Sequence, residues 1–141
     1  MKLIIEINNK AKCPLSKKYF KKVILKSIGL NKFKLLSISI AIVSEREIKR
    51  INKIYRKKDK ATDILSFPDY LKNKTGEFSC ELIICYPYIK KSAREDKVSI
   101  EKEMAYVVSH GILHCLGLEH SKKMYEIQDK VCNSLRIANL Y

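Results

Sequence analysis

At 141 residues, 46% hydrophobic and 31% charged, the chain has the makeup of one soluble globular domain, residues 1–141, with a full hydrophobic core. Its longest apolar runs, such as "ISIAIV" (38–43), are far too short to span a bilayer, so no membrane-spanning helix is expected. The net charge of +14, carried by 24 Lys and 5 Arg, permits an acidic partner such as RNA, and lysines placed for solubility alone account for it equally well.

In chain order, "KLIIEIN" (2–8) reads as a first strand. Glu6 interrupts its apolar run and no small-residue cleavage site follows, so it is not a secretory signal and the expected location is the cytoplasm. "PLSKKYFKKVILKSIG" (14–29) has apolar residues at helical spacing, Ser16 as N-cap and Gly29 as stop. "KLLSISIAIVS" (34–44) puts Leu36, Ile38, Ile40 and Ile42 on one face of a second strand. Ser44 and Glu47 then form a capping-box pattern that opens a helix over 44–55. "TDILSFP" (62–68) and "CELIICY" (80–86) are short β runs, and "PYIKKSARED" (87–96) is a helix with Pro87 in its first turn. Helices over 99–117 and 122–140 complete the order β-α-β-α-β-β-α-α-α. The expected fold is α/β of the α+β type, a mixed sheet of about four strands with helices packed on it. The five cysteines (Cys13, Cys80, Cys85, Cys115, Cys132) form no CxxC pair, which fits reduced, buried thiols.

All three histidines lie in "HGILHCLGLEH" (110–120). His110 and His114 are four apart, so on a helix both imidazoles leave one face and reach one ion. Gly117 is a natural helix stop, and a turn after it brings His120 toward the same face. Three imidazoles plus water make the open tetrahedral arrangement of catalytic zinc. The rest of this helix is apolar almost all round, and two unpaired histidines buried there are costly. Gly111 in mid-helix costs about 1 kcal/mol against Ala, and close approach of an ion or substrate accounts for it. Cys115 points elsewhere on the helix and reads as a buried thiol. Position 111 lacks the Glu that the zinc peptidase pattern HExxH supplies as a base, and Glu119 is the local carboxylate.

A second unusual stretch is "YRKKDKATDILSFPD" (55–69). The planar fork of Arg56 suits phosphate recognition, although a cation at a helix end needs no further explanation. Thr62 and Asp63 suit a turn cap, and Pro68 suits a strand end.

Together these stretches resemble the YbeY-type bacterial endoribonucleases: the histidines match H-G-x-L-H-x-x-G-x-x-H, and "YRKKDKATDILSFP" matches the family's Arg-to-Ser-Phe-Pro segment. The resemblance covers nearly the whole chain. It implies His110, His114 and His120 as ligands of one zinc ion per chain, with Arg56 catalytic at the phosphate. It implies a single-strand-specific metallo-endoribonuclease acting in 16S rRNA 3′-end maturation and ribosome quality control, with the small ribosomal subunit as partner. Zinc then serves as Lewis acid or acidifies a bound water. The alternatives are a metal-dependent peptidase or amidase, and a non-enzymatic ribosome assembly factor with a structural zinc. This chain departs from the family at Glu119, where Asp is common, and at Cys80-Glu81, where the family has Gly-Asp. The oligomeric state is open at this stage.

Overall fold

A computed structural model describes residues 2–29, 33–69, 76–117 and 122–137. The elements are β1 (Lys2–Asn9), α1 (Lys17–Ile28), β2 (Leu35–Val43), α2 (Glu45–Arg56), β3 (Ile64–Pro68), β4 (Glu77–Cys85), α3 (Tyr86–Asp96), α4 (Ile100–Cys115) and α5 (Lys122–Ile137). The strands form one mixed sheet in the order β1-β2-β4-β3. β1, β2 and β4 run parallel, and β3 is the antiparallel edge. This is the α+β architecture expected from the element order. The bounds shift where pairing decides them: β4 begins at Glu77, since Glu77, Phe78 and Ser79 align with Leu35, Leu36 and Ser37 of β2.

Strand alternation sorts the sheet into two faces. Leu36, Ile38, Ile40 and Ile42 of β2 and Phe78, Leu82 and Ile84 of β4 are fully buried on the inner face. Phe20, Val23 and Ile24 of α1 and Met104, Val108 and Ile112 of α4 pack into the same cluster. Each such side chain contributes about 1.5–3 kcal/mol on leaving water. The Tyr19 hydroxyl donates to the Glu101 carbonyl and ties α1 to α4. A smaller cluster on the outer face joins Ile48 and Ile51 of α2 to Val43, Leu65, Ile83 and Cys85.

The helix starts follow their caps. Ser16, Ser44 and Ser99 accept from the amides of Tyr19, Glu47 and Lys102 at 3.1, 3.2 and 3.1 Å. The Glu47 carboxylate takes the Lys10 ammonium at 3.6 Å. Lys57 and Lys97 end α2 and α3 in the left-handed region, at φ +57° and +56°. Pro68 closes β3, where an edge strand tolerates a missing donor. Cys80 and Glu81, the departure from the family's Gly-Asp, keep an unbroken ladder to Ile38 and Ser39 on one side and to Pro68 and Phe67 on the other. No described helix is long and apolar enough to cross a membrane. All five cysteines are buried, and none is in a disulfide.

Candidate active site

α4 crosses the inner face of the sheet with its apolar residues buried, which leaves one edge of the helix for polar groups. His110 is half-buried and His114 exposed on that edge. Their Nε2 atoms converge to 3.0 Å, with the rings 4.5 Å apart and nearly perpendicular at 79°. The pair thus reaches solvent through His114 and escapes the full burial cost that a core pair carries. Two imidazole nitrogens on one tetrahedral zinc, each about 2.0–2.1 Å from it, stand roughly 3.3 Å apart. The observed separation fits that spacing to within a few tenths of an ångström. Among the described residues no group of three or more His, Cys, Asp or Glu could hold an ion, so this pair is incomplete by itself. His120, the expected third ligand, and Glu119 lie outside the described residues.

The two histidines open into a cavity of about 450 Å³ that straddles the edge strand β3. Its far wall comes from α2 and the segment after it: Asn52, Arg56, Lys58 and Lys60. Arg56, more than fifty residues from the histidines in sequence, is the last residue of α2. Its Nη2 donates to the Ser66 carbonyl at 2.9 Å, and its guanidinium lies 5.4 Å from the Phe67 ring centroid. The fork is therefore held in plane by β3.

The chain between α2 and β3 is ordered by side chains that carry no obvious sequence signal. Asn52 is buried in the apolar face of α2 and donates to the Lys60 carbonyl at 3.0 Å. That bond curls the segment back so that Lys58 and Lys60 face the cavity. A polar residue among Ile48 and Ile51 on a buried helix face was the one available clue. Asp63 acts as a turn cap, accepting from the Ile64 amide at 2.7 Å and the Thr62 hydroxyl at 3.3 Å. Asp63 also lines the cavity, against three cations, so the cleft favours anions.

Cys115 is buried behind His114, as a core thiol. A hydrogen bond from Cys80 holds it below the ordinary thiol range against the opposing burial, with further help from Ser66 and the Arg56 charge. Cys80 is pushed up correspondingly, by that same bond and by burial. Gly111 is packed tightly against the sheet. A Cβ there meets Ile64 Cδ1 at 2.8 Å and Leu82 Cδ2 at 3.2 Å. The glycine lets α4 lie close on β3 and β4, so helix–sheet contact accounts for it, and it also lines the cavity beside His110 and His114.

An α+β domain that gathers paired imidazoles and a clamped guanidinium around one cationic cleft has the equipment of a nuclease. Comparison with known proteins agrees. A family model described as endoribonuclease YbeY matches residues 5–136. The endoribonuclease YbeY of Buchnera aphidicola (subsp. Schizaphis graminum) is 36% identical over 137 residues, 96% of this chain and 87% of that protein. That of Wigglesworthia glossinidia brevipalpis is 33% identical over 118 residues, 83% of this chain and 78% of that one. The solution structure of a Thermotoga maritima protein superposes with a TM-score of 0.59 at 32% identity, covering 92% of this chain and 87% of that one. The chain belongs to the endoribonuclease YbeY family.

Proposed function

We propose that this protein is a zinc-dependent endoribonuclease that cuts single-stranded RNA in the cytoplasm, acting at the 3′ end of 16S rRNA on the small ribosomal subunit and in ribosome quality control. The observation that carries the reading is the one cavity joining His110 and His114 to Arg56, in a chain of this family. The convergent Nε2 atoms and the match of the histidine segment support the metal, with His110, His114 and His120 as the residues that would hold one ion per chain. When bound, zinc supplies Lewis acidity at a phosphoryl oxygen or a more acidic water. The rRNA end and the ribosomal partner rest on the family resemblance.

The chain's own residues supply the remaining chemistry. The Arg56 fork can grip two oxygens of the scissile phosphate. Its plane is already set by Phe67 and the Ser66 carbonyl, so little reorganisation accompanies charge build-up in the transition state. Lys58 and Lys60 offset phosphate charge along the cleft. RNA brings its own 2′-hydroxyl as a nucleophile.

The test is RNA cleavage by purified protein before chelation, after it, and after zinc is restored, beside a peptidase assay. Cleavage should stop and return, with about one zinc per chain by elemental analysis. His114→Ala should lose most of that zinc. Peptide cutting with RNA left intact, or full zinc in His114→Ala, would sink the reading.

A further inference from the structure

We propose that Tyr55, braced on Phe67, is a stacking site for one unpaired nucleobase beside the phosphate gripped by Arg56. The inference rests on the RNA reading above and adds a part of the substrate that phosphate contacts do not reach.

Tyr55 and Ile54 are 66% and 57% exposed, the most exposed of the large hydrophobic side chains described. Both sit in the last turn of α2, immediately before Arg56, which lines the cationic cleft. Packing covers only a third of the Tyr55 residue, so the ring gives the fold little. It is nonetheless oriented: its centroid lies 5.5 Å from that of Phe67, edge to face at 68°. Phe67 also meets the Arg56 guanidinium, 5.4 Å from its ring centroid. Tyr55, Phe67 and Arg56 thus form one contiguous cluster, the two rings edge to face and the guanidinium against Phe67.

That cluster lies next to the cavity. Phe67 packs on the outer face of the sheet, opposite its strand neighbours Ser66 and Pro68, and the link to the cavity is Arg56, which lines it and touches the Phe67 ring. A nucleotide whose phosphate meets Arg56 has its neighbouring base within reach of the Tyr55 face. Single-stranded nucleic acids are held by this combination, a cationic track for the backbone and aromatic faces for the bases. A base inside a duplex is already stacked and cannot use the ring, so the site also selects for single strands. The ring is set in advance, so little rotamer freedom is lost on binding.

The experiment uses the full chain and a fluorescent single-stranded RNA of about 12 nucleotides, within the span of known single-strand sites. A series of strands each lacks one base, leaving every phosphate in place. Binding is read by stopped-flow anisotropy, ahead of cleavage, for wild type, Tyr55→Phe and Tyr55→Ala. Melting temperatures of the variants check the fold, which the exposed ring barely supports. One abasic position should weaken wild type on the order of tenfold, as loss of one stacked base does. Tyr55→Phe should keep that penalty. Tyr55→Ala should abolish it and bind the intact strand about tenfold more weakly, with binding of a duplex of the same length unchanged. A Tyr55→Ala variant that binds the intact strand like wild type, or that keeps the abasic penalty, overturns the stacking site. Wild type that neither binds nor cuts any single strand overturns the RNA reading itself, a separate outcome from the first.

Discussion

Arg56 does two jobs that stability and cleavage measurements separate. It ties α2 to β3 through Ser66 and Phe67, and it offers its fork to the cavity that holds the histidines. The exposed hydrogen bond and cation–π contact together stabilise the fold by about 1 kcal/mol. Arg56→Ala should therefore lower the melting temperature by a few degrees while leaving unchanged the content of the zinc proposed for the histidines. RNA cleavage should fall far more, on the order of a hundredfold, as when one preorganised donor is removed. Arg56→Lys restores the charge without the bidentate geometry, so cleavage should stay low. Cleavage, zinc content and melting curves for the two variants check this, and wild-type cleavage by Arg56→Ala would return the residue to a purely structural role. The motif match picked out Arg56 in the sequence. Its partners were not legible, because a carbonyl and a ring on β3 become neighbours only when the strand pairs with β4.

At the scale of elements, α4 depends on its closeness to β3 and β4. Gly111→Ala gains about 1 kcal/mol in helix propensity but adds a methyl where Ile64 Cδ1 and Leu82 Cδ2 already stand. Such overpacking costs roughly 1–3 kcal/mol, so the net effect ranges from near neutral to about 2 kcal/mol of lost stability. The histidines must shift with the helix relative to Arg56 on the other side of the cavity. Cleavage by Gly111→Ala should then drop about tenfold or more, a steeper loss than the melting temperature records, since misplacement of about 1 Å at a reacting centre costs up to a hundredfold. Wild-type cleavage with an unchanged melting curve would show that Ile64 simply swings aside. The end of α3 offers the opposite case. Lys97 holds the left-handed conformation at φ +56° and is exposed. An L-residue pays about 1–2 kcal/mol there, and glycine escapes that cost while losing somewhat more chain entropy on folding. Lys97→Gly should stabilise the fold by about 0.5–1 kcal/mol without altering cleavage, measurable as a higher denaturation midpoint at unchanged slope.

For the molecule as a whole, the charge of +14 sets the response to salt. Each phosphate neutralised by Lys or Arg releases counterions, with a slope of log affinity on log salt of about −0.7 per contact for single strands. With Arg56, Lys58 and Lys60 in the cleft, wild type should show a slope of about −2 or steeper. Lys58→Ala should flatten it by about 0.7 and weaken binding to all sequences alike. Titrations of RNA into protein at several salt concentrations measure this, and a slope near zero would mean that the cleft does not track phosphates.

Local chemistry was enough to read much of this protein from its sequence. The period of the apolar residues marked nine elements, and Ser16, Ser44 and the glycines marked helix ends, because caps and periodicity act within a few residues. The convergence of His110 and His114 followed from helix geometry alone. Tertiary structure decided what depends on distant partners. Gly111 proved to answer to Ile64 and Leu82, Asn52 to Lys60, and Tyr55 to Phe67. The strand order β1-β2-β4-β3 is what puts β3 at the edge, between α2 on one face and α4 on the other. Pairing of strands and burial of both faces are collective, long-range terms, and they alone bring a guanidinium and two imidazoles to one cavity.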